Sequence, residues 1–296
     1  MCLISAENDG DYFYMMDANF LRNIQLVVLD LDGTLLDSRG EIGKETKALV
    51  PRLQQLGVRF TFASGRVYSA LTDYAAELGI KTPLIALDGI LIKDYPNGNT
   101  LSTSRIPEDK VRKAIEYSDK YLIKIGLCHE NQIYVTEYNA SIAHTVDKFG
   151  SKFIEVDSYK NYTGETLEII FVSDRKDNLT FLRDKFAFPF TFGLRSSFTK
   201  SYSNENIYIL EVRRSGINKS TGLKTLLKKL GLKITNTAVV GDWYNDVDLF
   251  KTKALKIALS NAVPEIKYLS DHVTTRTNNE DGVAEFLEEL YKAKTS

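Results

Sequence analysis

Short apolar runs alternate along this chain with segments of helical spacing, and their order gives the first picture of the fold. IQLVVLD (24–30) and VRFTFAS (58–64) are β-rich and apolar at consecutive positions, which predicts strands buried on both faces. Between them EIGKETKALVPRLQQLG (41–57) has helical spacing at Leu49, Leu53 and Leu56, with Gly57 as a stop signal. Pro51 interrupts that pattern and predicts a kink. A helix over YSALTDYAAELG (68–79) and a third buried strand, TPLIALDG (82–89), follow. Strand, helix, strand, helix, strand is the rhythm of a parallel sheet covered by helices on both faces.

After Pro107 the rhythm changes. EDKVRKAIEYSDKY reads as a helix, and IGLCHENQIYVTEY as two strands around a His-Glu-Asn-Gln turn. Next come a helix (SIAHTVDKFG), a strand (LEIIFVSD), a helix (KDNLTFLRDKF) and two strands (FTFGLRSS and NENIYILEVRR). Such an α+β pattern predicts a second domain inserted into the first. The parallel rhythm then resumes: an apolar face at Leu223, Leu226, Leu227 and Leu230, strands at NTAVVGD, LKIALS and DHVT, and a last helix at GVAEFLEELYKA. The expected organisation is an N-terminal extension (1–22), loosely ordered, a Rossmann-like α/β core (23–106 and 206–296) and an inserted α+β cap, or lid (107–205). No internal repeat or low-complexity segment is visible.

Composition excludes more than it assigns. The chain has 296 residues, 43% hydrophobic and 26% charged, with a formal net charge of −1. That balance suits one large globular domain or two modest ones and gives no footprint for nucleic acid or a membrane surface. Cys2 and Cys128 form no CxxC pair, so zinc or a disulfide framework is not expected, and free thiols in a reducing, cytoplasmic compartment are. The first 22 residues carry four acids and Arg22 as their one base, unlike a secretory signal, and Met15 or Met16 is an alternative start.

The chemistry lies at the ends of the buried strands. Asp30 and Asp32 end the first, Ser64-Gly65-Arg66 the second, and Asp242 with Asn245 and Asp246 follows NTAVVGD. Lys219 stands at the start of a helix. Ligands of open α/β sheets bind beyond the carboxyl ends of the strands, so these stations are expected to converge. Carboxylates gathered in one cleft repel unless a divalent cation sits among them, and Mg²⁺ suits hard oxygen donors. No His or Cys cluster competes for a softer metal.

DLDGTLLD, FASGR, Lys219 in GINKSTGLKTLLKKLG, and GDWYNDVDLF resemble, in order, the four motifs of the haloacid dehalogenase-like superfamily. The tail ALSNAVPEIKYLSDHVTTRTNNEDGVAEFL and the position of the insert are similar to its Cof-type sugar-phosphatase branch. The resemblance runs from about Ile24 to the C-terminus. It implies Mg²⁺ held by Asp30, Asp242 and the backbone carbonyl of Asp32, with Asp246 supporting from behind. It implies Asp30 as nucleophile, forming an aspartyl-phosphate, and Asp32 as general acid and base. Ser64, Gly65, Lys219 and Asn245 are the implied phosphate-binding residues. The acid at position 32 points to a phosphatase or a phosphomutase acting on a small phosphorylated metabolite, a sugar phosphate by expectation; a non-catalytic sensor is the third reading. The oligomeric state is not legible.

Each candidate also has a plain structural reading. Asp30-Asp32 is compatible with a turn, Ser64 with a helix cap, Arg66 with an ion pair, Asp246 with a helix start, and Lys219 with an ordinary surface lysine. His129, His144 and His272 match no motif. Tyr134, Phe171 and Tyr208 read as core. Loop tips at 129–131 and 195–197 are candidates for substrate contact. Two positions depart from the Cof pattern: Asp88 stands where relatives usually carry Asn, adding a charge at the site entrance, and Trp243 follows Asp242 where small residues are common.

Overall fold

A computed structural model describes residues 18–137, 152–186, 193–200 and 207–296. The expected helix at 141–150, His144, Cys2 and residues 1–17 lie outside the described residues. The strands are β1 (Leu26–Leu29), β2 (Arg59–Phe62), β3 (Leu84–Ala86), β4 (Leu91–Lys93), β5 (Thr100–Thr103), β6 (Lys124–Cys128), β7 (Gln132–Val135), β8 (Lys152–Glu155), β9 (Glu168–Ser173), β10 (Leu194–Lys200), β11 (Tyr208–Arg214), β12 (Thr237–Gly241), β13 (Leu255–Ala258) and β14 (His272–Val273). Contacts divide the chain into two compact units. The first holds the residues up to 63 with 75–82 and 224–296, the second 64–74 with 83–223.

The first unit is built on a parallel sheet of order β14-β13-β12-β1-β2. Every residue of β1 and β12 is buried, as their unbroken apolar runs predict. Helices flank the sheet. Lys44–Gln55 runs through Pro51 without ending there, because Thr46, Leu49, Val50 and Leu53 are all buried and hold the turns on both sides of it. Residues 18–22, expected to be loose, form a short helix: Arg22 Nε donates to Ala293 O at 3.1 Å and Lys294 Nζ donates to Arg22 O at 2.7 Å.

The second unit contains two further sheets. TPLIALDG does not join the parallel sheet: β3, β4 and β5 form a small antiparallel sheet of their own. A buried apolar run looks alike in either setting, which is why the pattern misplaces it. The six-stranded sheet has the order β10-β11-β9-β6-β7-β8, antiparallel except between β7 and β8. It includes β11 and so extends past the boundary expected at 205. Successive residues of β9 and β11 alternate between two faces. Ile169, Phe171, Leu210 and Val212 pack with the helices Glu108–Tyr121 and Lys176–Lys185 in the larger core. Ile170 and Ile209 join a smaller cluster with buried Cys128 on the other face. Phe171 is core as read, and Tyr134 and Tyr208 pack against it half-buried. The segment 195–197 lies within β10 and is not a loop tip, since the strand continues to Lys200.

Candidate functional site

In the first unit the end of β1 and the end of β12 are neighbours, because the two strands pair in register from Leu26–Thr237 to Leu29–Val240. Asp30 N continues that ladder to Val240 O at 3.1 Å. Asp30, Asp242 and Asp246 are all buried, and a carboxylate oxygen from each lies within 4.8 Å of the others. Thr34 Oγ1 donates to Asp242 Oδ1 at 2.7 Å. Asp246 Oδ2 accepts from the backbone N–H of Asp242 (3.1 Å) and of Trp243 (3.3 Å), which fixes the turn that carries Asp242. Gly33 has φ +76°, and a Cβ there would run into the Asp242 carboxylate, so glycine keeps this cradle open. Asn261 Nδ2 holds the Gly33 carbonyl at 2.8 Å.

The donor set is three carboxylates in a buried space closed to a Cβ, with no softer ligand in the group. It fits a hard divalent cation such as Mg²⁺. Asp32 stands outside this group with an exposed side chain, in the same loop. Asn245 is also exposed, in the turn Tyr244–Asp246. Trp243 and Tyr244 are exposed aromatics set edge to face at 5.3 Å, so Trp243 is not a core residue.

The remaining predicted residues belong to the second unit. Ser64 is buried, and its Oγ accepts from Arg66 N at 3.1 Å, which folds the chain tightly around Gly65. Ser64 N donates to Ile85 O at 3.0 Å. Arg66 lies over the ring of Tyr74, 5.7 Å from its centroid. Lys219 is wholly buried at the first position of the helix Lys219–Leu230, so it is not the surface lysine of the plain reading.

Asp88 faces Gly65, with Oδ1 3.5 Å from where a Cβ on that glycine would lie. It is buried and bonded to Arg213, whose Nη1 donates to Asp88 Oδ2 at 2.7 Å. Nη2 of the same guanidinium donates to Glu168 at 2.9 Å and to Glu211 at 2.5 Å. Glu211 and Arg213 share one face of β11, and the register that pairs Val212 with Ile169 brings Glu168 beside Arg213. Burial opposes the charge of Arg213, but Glu168 and Asp88 beside it outweigh burial and raise its pKa above the ordinary arginine value. Sequence reasoning missed Glu168, Glu211 and Arg213. Their signal is charge inside strands that are otherwise apolar.

Asp88 also sits in an unusual backbone. Leu87 (φ 49°) and Asp88 (φ 50°) are both left-handed and precede Gly89 (φ 99°). Such non-glycine conformations cost on the order of 1–3 kcal/mol each and cluster at functional positions.

His129 is half-buried on the turn between β6 and β7, with Nε2 2.8 Å from Tyr162 O. Burial pushes its pKa down, against the raising effect of that bond. No helix among the described residues is long and apolar enough to cross a membrane.

The family model of the haloacid dehalogenase-like hydrolases matches residues 27–287. The 5-amino-6-(5-phospho-D-ribitylamino)uracil phosphatase YitU of Bacillus subtilis is 24% identical over 279 residues, covering 90% of this chain and 97% of the relative. YcsE, a phosphatase of the same description and organism, is 27% identical over 266 residues, covering 90% and 95%. A haloacid dehalogenase-like hydrolase of Bacteroides thetaiotaomicron, 25% identical, superposes with a TM-score of 0.81 over 90% of this chain and 99% of its own. The chain therefore belongs to the haloacid dehalogenase-like hydrolases, in their Cof-type phosphatase branch.

Proposed function

We propose that this enzyme is a Mg²⁺-dependent phosphatase that releases phosphate from a small phosphorylated metabolite through an aspartyl-phosphate on Asp30. The observation that carries the reading is the convergence of buried Asp30, Asp242 and Asp246 around a cradle that Gly33 leaves open. Mg²⁺ would be held by Asp30, Asp242 and the Asp32 carbonyl, with Asp246 behind them, and would offset the charge of the substrate phosphate.

A carboxylate oxygen of Asp30 attacks phosphorus, and the bond from phosphorus to the ester oxygen breaks. Asp32 gives its proton to that leaving oxygen. Water then attacks the phosphorus of the acyl phosphate while the Asp32 carboxylate takes a proton from it. Phosphate leaves and Asp30 is free again. The exposed side chain of Asp32 suits a group that exchanges protons in both halves of the cycle. Ser64, the Gly65 amide, Lys219 and Asn245 bind the phosphoryl oxygens, Lys219 opposing the charge spread over them in the transition state.

A sugar or sugar-alcohol phosphate is the expected substrate class. YitU and YcsE, both named for a phosphorylated ribityl chain, support it. The insert, expected at 107–205 and carried on by β11 to Arg214, is the proposed lid and the source of contacts to the rest of the substrate.

The test is phosphate release from a panel of sugar and polyol phosphates that includes 5-amino-6-(5-phospho-D-ribitylamino)uracil, with and without Mg²⁺. Asp30→Asn is expected to lower kcat by roughly 10³-fold or more, as loss of a nucleophile does. Equal release by wild type and variant rejects the nucleophile. Isomerised sugar phosphate in place of free phosphate would make the enzyme a phosphomutase.

A further inference from the structure

The turn Leu87–Gly89 touches two of the proposed phosphate-binding segments at once. Asp88 N donates to Ser64 O at 2.9 Å, and Leu87 N donates to Arg66 O at 2.9 Å. The turn therefore clamps the carbonyls on either side of Gly65. A Cβ on Gly65 would lie 3.5 Å from Asp88 Oδ1, so the carboxylate faces the glycine whose amide is assigned to phosphate. On its other side, a Cβ on Gly89 would run into Asn218 O and approach the Cα of Gly222 at 3.4 Å. The turn thus also abuts the start of the helix that carries Lys219.

Two features of the turn need support from elsewhere. Its consecutive left-handed residues are strained, and such a conformation persists only where the surroundings hold it. Its carboxylate, beside Gly65, would repel a phosphate dianion unless its charge is offset. Arg213 answers both. Its Nη1 holds Asp88 Oδ2 at 2.7 Å, and the guanidinium is itself fixed by Glu168 and Glu211 on β9 and β11.

We propose that Arg213 is a positioning residue for phosphate binding: it holds and neutralises Asp88, and through the Leu87–Gly89 turn it sets the shape of the Ser64–Arg66 loop and its spacing from Lys219. The proposal rests on the phosphatase reading. It explains why an acid is tolerated at position 88, since its carboxylate is bonded to a guanidinium 125 residues away in sequence.

A double-mutant cycle on the full chain tests it, with inorganic phosphate as the probe, titrated calorimetrically in Mg²⁺. Arg213→Gln is expected to weaken phosphate binding roughly tenfold, the equivalent of one pKa unit of lost charge balance. Adding Asp88→Asn to it should return affinity to within about threefold of wild type, because the repelling charge goes and Asn tolerates a left-handed backbone. A purely structural role for Arg213 predicts instead that Arg213→Gln lowers stability but leaves the phosphate affinity of the folded protein unchanged. Should Arg213→Gln fail to fold, Asp88→Ala keeps the proposal open to refutation. It leaves Arg213 with Glu168 and Glu211, should weaken phosphate similarly, and should deprotect the amides of residues 87 and 88 in hydrogen exchange, whereas Asp88→Asn should do neither. Variants that bind phosphate as tightly as wild type overturn the assignment to Arg213 alone. A wild type that neither binds phosphate nor hydrolyses any phosphomonoester overturns the phosphatase reading, and this proposal with it.

Discussion

Among the described residues each compact unit of this chain buries three carboxylates, and the two trios are organised in opposite ways. In the first unit Asp30, Asp242 and Asp246 turn oxygens toward one another, held from outside by Thr34 and by backbone N–H groups. In the second, Asp88, Glu168 and Glu211 turn toward a guanidinium that the chain itself supplies. Burial penalises both arrangements, because carboxylates leaving water must be compensated. Each carboxylate of the second trio bonds to a cationic side chain of the chain itself. The first has the form of a receptor for a cation, which is why the chemistry is proposed there and the positioning in the other.

The comparison can be broken most severely through turnover. Asp30→Asn should lose roughly 10³-fold in kcat while the protein stays folded, because the substitution removes a nucleophile and a charge but little volume. Arg213→Met should act first on stability: it leaves three buried carboxylates without this cation and should cost about 3–5 kcal/mol of folding stability, read from urea or thermal unfolding. An Arg213→Met protein as stable as wild type would show that the second trio is not held together by this residue.

A smaller effect separates the trios by their response to metal. A ligand at about a hundred times its Kd stabilises the state that binds it by about 2.7 kcal/mol. Mg²⁺ should therefore raise the unfolding midpoint of the wild type. Asp242→Asn should abolish that shift and Glu211→Gln should keep it. A shift that survives Asp242→Asn would move the metal away from the first trio.

Much of the first trio was legible in the sequence, and almost none of the second. Asp30 and Asp242 end strands whose every residue is buried, and their neighbours Gly33 and Thr34 lie within a few residues of Asp30. A local motif thus carries both the strand and its chemistry. Arg213 meets Asp88 across 125 residues and Glu168 across 45, and only strand register brings them together. No window along the chain contains that information. The sequence pattern does not mark β4, β5 or β8: β4 is three residues long, with Leu91 and Ile92 buried, too short a run to stand apart from β3. β5 and β8 have no buried residue, so they lack the alternation or apolar run that marks a strand. β3 was legible as a strand but not as a member of its sheet, because burial on both faces does not say which neighbours provide it.

The smallest expected effect sharpens the comparison most, since it concerns a hydrogen bond behind a ligand rather than the ligand itself. Thr34 is nearly inaccessible and gives its hydroxyl proton to Asp242 Oδ1, which fixes the direction of that carboxylate. Thr34→Val keeps the shape and removes the donor. The carboxylate keeps its charge but loses its orientation, so Mg²⁺ affinity should fall by about tenfold, the low end for loss of such a partner. With saturating Mg²⁺, most of the turnover should return, because the metal then supplies the orientation that Thr34 gave. The second trio offers no such recovery, since its cation is a covalent part of the chain. Titration of activity against Mg²⁺ measures the difference directly. A Thr34→Val enzyme whose turnover stays low at saturation would mean that Thr34 acts on the reacting groups themselves and not through Asp242.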